Sequence, residues 1–127
     1  MEALLVRVCI SYIWDFELED EGELKVAANY FSTQLLHAML DGKPVGSIIL
    51  PPYSLTIPNV DKGKHTLELV AVGNRHNTFG SLHWGIDDPY YDPAHWHKYG
   101  DAYSREYRLR DFGIMKCPVV TVEKKQL

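Results

Sequence analysis

The chain has 127 residues, 46% of them hydrophobic, with 13 Lys and Arg against 17 Asp and Glu and a formal charge of −4. That length fits one domain, able to bury a core without help from disulfides or metals. The acidic balance argues against nucleic acid, whose phosphates need a positive patch, and no stretch is long and apolar enough to span a membrane.

Residues 4–14 open the pattern. Leu4, Val6, Val8, Ile10, Tyr12 and Trp14 fall on one side and Arg7, Cys9, Ser11 and Asp15 on the other, the period of a long half-buried strand. The acidic run 17–23, containing Gly22, reads as a turn. Residues 23–31 form a second predicted strand, with Leu24, Val26 and Ala28 inward, and residues 34–40 a third. Leu35, Leu36, Met39 and Leu40 would also suit a short helix, but the turn that follows favours a strand.

Asp41-Gly42 is the strongest hairpin signal in the chain. Both central residues of a type I′ turn need positive φ, which Asp and Gly tolerate. Pro44 and Gly46 place the returning strand at a sheet edge or bulge, and Ser47 to Leu50 continue it until Pro51-Pro52. A short strand over 53–57 is closed by Pro58, and Asp61-Lys62-Gly63 turns the chain into residues 65–72. There Leu67, Leu69 and Ala71 face one way and Thr66, Glu68 and Val70 the other, until Gly73-Asn74 ends the strand. Residues 103–114 are a further candidate, with Tyr107 and Leu109 opposite Arg108 and Arg110, and 119–122 the last. Residues 81–102 show no period. Many short strands between turn signals predict an all-β, two-sheet antiparallel β-sandwich of jelly-roll type spanning 1–127.

Four segments in this order, "MLDGKPVGSIILPPYSLTIP", "KGKHTLELVAVGNRHNTFGSLH", "YRLRDFGI" and "CPVV", carry a family likeness. Together they resemble the galactose-binding-domain-like jelly rolls of large bacterial glycoside hydrolases, such as family-2-type β-galactosidases and α-L-rhamnosidases. The matching residues are Asp41-Gly42-Lys43, Pro52 to Ile57, Gly63 to Leu69 and Phe112-Gly113-Ile114, with His65 where such modules often have Asn. The resemblance implies a fold and a setting. Some such modules bind sugars through loops at one end, others brace a catalytic domain, and no shared motif carries a sugar site onto numbered positions here. Fold alone does not fix function.

Catalytic chemistry has no signature in this chain. There is no Gly-x-Ser-x-Gly elbow, and nothing singles out a carboxylate pair for glycoside hydrolysis. Cys9 and Cys117 are too few for a disulfide scaffold and wrongly spaced for a zinc ribbon; the expectation is two unpaired thiols, one or both buried. The N-terminus lacks the basic flank and apolar core of a signal peptide. Met1 opens almost directly onto a strand, as it would if the chain were cut from a longer one. The basic residues Arg105, Arg108 and Arg110 read as a solvated strand face, and Lys124 and Lys125 as a tail.

His95-x-His97, with His83 nearby, is compatible with metal binding of the cupin kind, but Pro93-Ala94 argues against a strand there and favours a surface loop. Asp87, Asp88, Asp92 and Asp101 offer oxygens to calcium without the spacing of an EF-hand, and a solvated acidic loop is the simpler reading. No cofactor is expected. Arg75-His76-Asn77-Thr78 reads as loop-shaping, with Arg75 and Asn77 as candidate sugar contacts.

Residues 82–103 are the most distinctive segment. They hold Trp84, Tyr90, Tyr91, Trp96, Tyr99 and Tyr103, six of the fifteen aromatic residues. Long irregular loops tend to be functional or disordered, and disordered segments are poor in aromatics. Flat rings beside His95, His97, Asp87 and Asp88 suit either a protein interface or the face of a sugar. Trp84 and Trp96 are the expected anchors. The expectation is a non-catalytic accessory domain packing on the remaining domains of a parent enzyme. A carbohydrate-binding module and a small cupin-like metal-dependent enzyme are the alternatives.

Overall fold

The computed structural model describes residues 9–73, 76–86 and 92–124, so the beginning of the first predicted strand, 4–8, lies outside the described residues. The chain divides into two compact units, one made of Met1–Gly73 with Phe112–Leu127 and the other of Asn74–Asp111.

The first unit is an all-β sandwich. Its larger sheet has the order β1 (Cys9–Leu18), β7 (Gly63–Val72), β4 (Leu35–Leu40) and β5 (Lys43–Ile48). The smaller has the order β6 (Ser54–Val60), β2 (Gly22–Ala27) and β9 (Val119–Lys124). A two-stranded ribbon pairs β3 (Phe31–Ser32) with β8 (Gly113–Ile114). Every pairing is antiparallel.

The inward faces are those the alternation predicts. Leu24 and Val26 from one sheet, with Ala28 just beyond the end of β2, meet Leu67, Leu69 and Ala71 from the other, joined by Leu36, Ala38 and Ile48, all buried. Removing each Val, Leu or Ile side chain among them from water contributes about 1.5–3 kcal/mol, so these positions fix which face of each strand points inward. On β1 the face of Tyr12, Trp14 and Phe16 packs on this core and ends in buried Leu18.

Asp41 and Gly42 adopt φ of 51° and 79°, the left-handed pair that a type I′ turn requires, and Leu40 pairs with Lys43 across it. The register then slips between Ala38 and Met39, leaving Val45 as the extra residue of a bulge on the edge strand β5.

Several boundaries differ from the sequence reading. The run 17–23 is not all turn: Glu17 and Leu18 complete β1, and Gly22 and Glu23 begin β2. Leu18 turns inward, and Glu17 sits opposite Lys64 on β7, so an acidic run continues the ladder where its side chains point to water. The strand predicted over 23–31 is broken into β2 and β3, and β5 stops at Ile48, short of Leu50. Pro58 does not close its strand. Strand β6 is an edge, where a missing N–H is tolerated, and Pro58 and Asn59 together oppose Glu23 in a second bulge before Val60 rejoins Gly22. Both cysteines are exposed rather than buried, and both are free.

The predicted strand over 103–114 forms only at its last two residues, Gly113 and Ile114. Gly113 has φ of 102°, and a β-carbon there would collide with the Tyr12 hydroxyl oxygen. That hydroxyl instead accepts the Ile114 N–H at 3.0 Å, tying the Phe-Gly-Ile element to β1. Among the described residues no helix is long and apolar enough to cross a membrane.

Candidate interaction surface

Among its described residues, the unit Asn74–Asp111 is held by hydrogen-bonded turns and one isolated antiparallel bridge, Trp84 to Tyr103. Its first described element is a single helical turn, α1 (His76–Phe79), where the sequence predicts a loop. Asn77 spends its carboxamide on one residue: Nδ2 donates to the Arg110 carbonyl at 2.8 Å and Oδ1 accepts the Arg110 N–H at 2.8 Å. His76 Nε2 lies 3.0 Å from the Arg108 carbonyl, and the Arg108 N–H donates to Leu82 O at 2.7 Å. These bonds explain why 103–111 is no strand. Backbone groups of Tyr103, Ser104, Arg108 and Arg110 are taken by side chains and neighbouring turns rather than by a ladder partner. The side chains of Arg105, Arg108 and Arg110 are exposed, but on irregular backbone instead of a strand face.

A 3-10 turn, Pro93–Trp96, organises the middle of this unit. Asp92 caps it, Oδ1 accepting the Ala94 N–H at 2.7 Å, while His95 Nδ1 accepts the Asp92 N–H at 2.9 Å. This is a capping box with histidine in the place of the usual Glu or Gln. It places the His95 proton on Nε2. His95 is 4% exposed and meets Trp84 edge to face at 4.4 Å, so this histidine has a packing role. His97 instead stacks on Tyr99 at 4.9 Å with the planes 18° apart. The two imidazoles of His95-x-His97 therefore have different ring partners. Among the described residues no group of three or more His, Cys, Asp or Glu is gathered as a metal would require.

The two tryptophans differ in the same way. Trp84 forms a bridge with Tyr103 and is half-buried; its Nε1 is covered and has no hydrogen-bond partner among the described residues. Trp96 is 51% exposed, with Nε1 donating to Phe79 O at 3.3 Å. Phe79, Tyr99 and Tyr107 are each at least 60% exposed. His83 underlies part of this display, its ring 4.6 Å from Tyr107 and its Nδ1 2.9 Å from the Ser104 carbonyl. Arg75, Asp87, Asp88, Tyr90 and Tyr91 lie outside the described residues.

Phe79 and Tyr107 are surface rings that sequence reasoning missed. Tyr107 carried an alternating pattern that pointed to a strand, and Phe79 stands alone between polar residues with no periodic signal. Exposed Trp and Tyr on a compact unit are the composition of interface anchors.

No protein-family model matches the chain, and no curated protein matches it. Among solved structures it is similar to a rhamnosidase from Novosphingobium sp. PP1Y, at 19% identity and a TM-score of 0.59, over 88% of this chain and 10% of that enzyme. It is also similar to a GH2 β-galacturonidase from Eisenbergiella tayi, solved with glycerol and with galacturonate. There the identity is 25% and the TM-score 0.51, over 94% of this chain and 17–18% of the enzyme. The fold of this chain is thus the fold of one small part of two much larger enzymes that act on glycosides, and the chain spans 10–18% of their lengths.

Proposed function

We propose that this chain is a non-catalytic accessory β-sandwich of a glycoside hydrolase or related carbohydrate-active enzyme, packing on the remaining domains of that enzyme. One observation carries the reading: nearly the whole chain corresponds to a minor fraction of each of two different glycoside-degrading enzymes. Large enzymes are built of several domains, and a part of this size is the length of one domain.

The exposed rings of Asn74–Asp111 are the contact face in this reading, with Trp96 at its centre and Phe79 and Tyr99 beside it in sequence or hydrogen bonding. Exposed Trp96 and Tyr99 also favour a second reading, a sugar-binding module, because a pyranose stacks its C–H face on such rings. Two assays separate these outcomes. Incubation with a panel of aryl glycosides releases nothing above background, and turnover that disappears on replacing a single Asp or Glu of this chain overturns the proposal. Retention on polysaccharide columns that is lost in Trp96→Ala moves the function to the second reading.

A further inference from the structure

The two flanks of the sandwich are finished differently. On one, the chain passes from β5 to β6 through Pro51-Pro52 and the strands lie against each other; a β-carbon on Gly46 would stand 2.7 Å from Leu55 Cδ1. On the other flank, β1 has β7 as its sheet neighbour and β9 has β2, and among the described strands nothing pairs with their outer edges. Burial falls off towards this side in both sheets. Val120 and Val122 on β9 are 41% and 44% exposed, although their register partners Val26 and Leu24 on β2 are fully buried. Trp14 on β1 is half-buried beside its partner Leu67 at 1%.

Between these edges runs a groove of about 420 Å³, floored by Trp14, Phe16, Val120 and Val122 and reached by Cys117. Its volume is within the range of about 300–1,000 Å³ typical of binding clefts. The charged residues at this edge, Asp15 and Glu17, are both acidic, and their side chains lie on the outer face of β1, opposite to Trp14 and Phe16, with Lys64 beside Glu17 on β7.

We infer that this groove receives an extended polypeptide segment of alternating apolar and basic residues, which adds to the edge of β1 and sets its apolar side chains between the two sheets. Three features specify that occupant. An unpaired strand edge offers a row of N–H and C=O groups that a second extended backbone satisfies. The half-exposed floor takes every second side chain, the spacing a strand presents on one face. The two carboxylates on the outer face of β1 select Lys or Arg at the intervening positions, which an added strand turns to that face, and disfavour a second copy of this chain, whose own Asp15 and Glu17 would approach their counterparts across a two-fold axis. This inference concerns a surface and a partner chemistry, and it stands whether or not the glycoside-hydrolase reading does.

The Cys117 thiol reports occupancy directly, since it is free and exposed at the groove. In Cys9→Ser, the reaction of Cys117 with an aromatic disulfide reagent is followed with and without an alternating Lys–Val heptapeptide or its Glu–Val counterpart. The Lys–Val peptide slows the reaction several-fold, the protection weakens with added salt, and the Glu–Val peptide gives none. Adding Glu17→Lys, a change of an exposed side chain that leaves the floor intact, shifts the preference towards the Glu–Val peptide. No protection by the Lys–Val peptide, or equal protection by both peptides, overturns the inference. So does a concentration-dependent dimer that shields Cys117 without peptide.

Discussion

The carboxylate of Asp41 stands 2.7 Å from His65 Nδ1, so the turn between β4 and β5 is bound to the start of β7, 24 residues away in sequence. The same carboxylate accepts the Thr66 N–H at 2.8 Å, and the Asp41 N–H donates to the Thr66 carbonyl at 2.9 Å. His65 Nε2 reaches the Asp61 carbonyl at 2.7 Å, and its ring lies on Phe16. One aspartate thus serves as a turn residue with positive φ, an ion-pair partner and an anchor for the neighbouring strand.

This relationship makes stability depend on pH. The hydrogen bond to the Asp41 carboxylate and then that to the Asp61 carbonyl raise the His65 pKa above its ordinary 6.5. The bond from His65 and then that from Thr66 lower the Asp41 pKa below its ordinary 3.8. The histidine contribution is complete below 6.5 and fades as pH rises through the raised value. The aspartate contribution is complete above 3.8 and fades as pH falls through the lowered value. The pair therefore stabilises most between 3.8 and 6.5. Asp41→Asn keeps a residue that tolerates the turn and removes the charge. The Tm difference between wild type and variant is expected to be largest near pH 5.5 and to shrink by pH 8.5; a difference independent of pH would exclude the pair as its source.

Leu69 is fully buried on the central strand β7, opposite Tyr12 on one side and Ala38 on the other. Leu69→Ala is expected to cost about 2–5 kcal/mol in denaturant unfolding, the loss from emptying a core leucine site. A cost below about 0.5 kcal/mol, the level of ordinary surface changes, would show that the strand does not present this face to the core.

Gly113 and Tyr12 give a paired test of the β1–β8 junction. Gly113→Ala places an L side chain at φ of 102° and drives its β-carbon into the Tyr12 hydroxyl. The expected cost exceeds about 1–2 kcal/mol, the penalty for left-handed backbone alone. Tyr12→Phe removes the bond to the Ile114 N–H for about 0.5–1.5 kcal/mol. Combined with Gly113→Ala it relieves part of the collision, so the double variant is expected to be more stable than the sum of the single costs implies.

Trp96 and Trp84 separate surface from packing. Trp96→Ala is expected to leave thermal unfolding nearly unchanged while weakening attachment to the remainder of the proposed parent enzyme by about 2 kcal/mol, the scale of an interface hot spot. Trp84→Ala removes the ring that covers His95 and is expected to destabilise the unit Asn74–Asp111. Amide exchange over 92–104 reads this directly. Unfolding of the whole chain by Trp96→Ala would make that ring structural and end its role as an anchor.

Much of the sandwich is local in origin, which is why alternation reveals it. Leu24, Val26 and Ala28, or Leu67, Leu69 and Ala71, announce an inward face because a strand buries every second side chain, whatever sheet it joins. Asp41-Gly42 announces its turn because few other residue pairs accept both φ values. The sequence by itself thus determined the fold class, the main strands and the inward faces. Only the tertiary structure decided what the remaining patterns become. Tyr107 and Leu109 alternate with Arg108 and Arg110 as a strand would, but a strand exists only beside a partner, and here His76, Leu82 and Asn77 take the backbone groups first. Trp84 and Trp96 are the same residue type on one aromatic segment. One is drawn inward by His95 and the other left half in solvent, because contacts between turns distant in sequence set burial, and no residue's own identity records them.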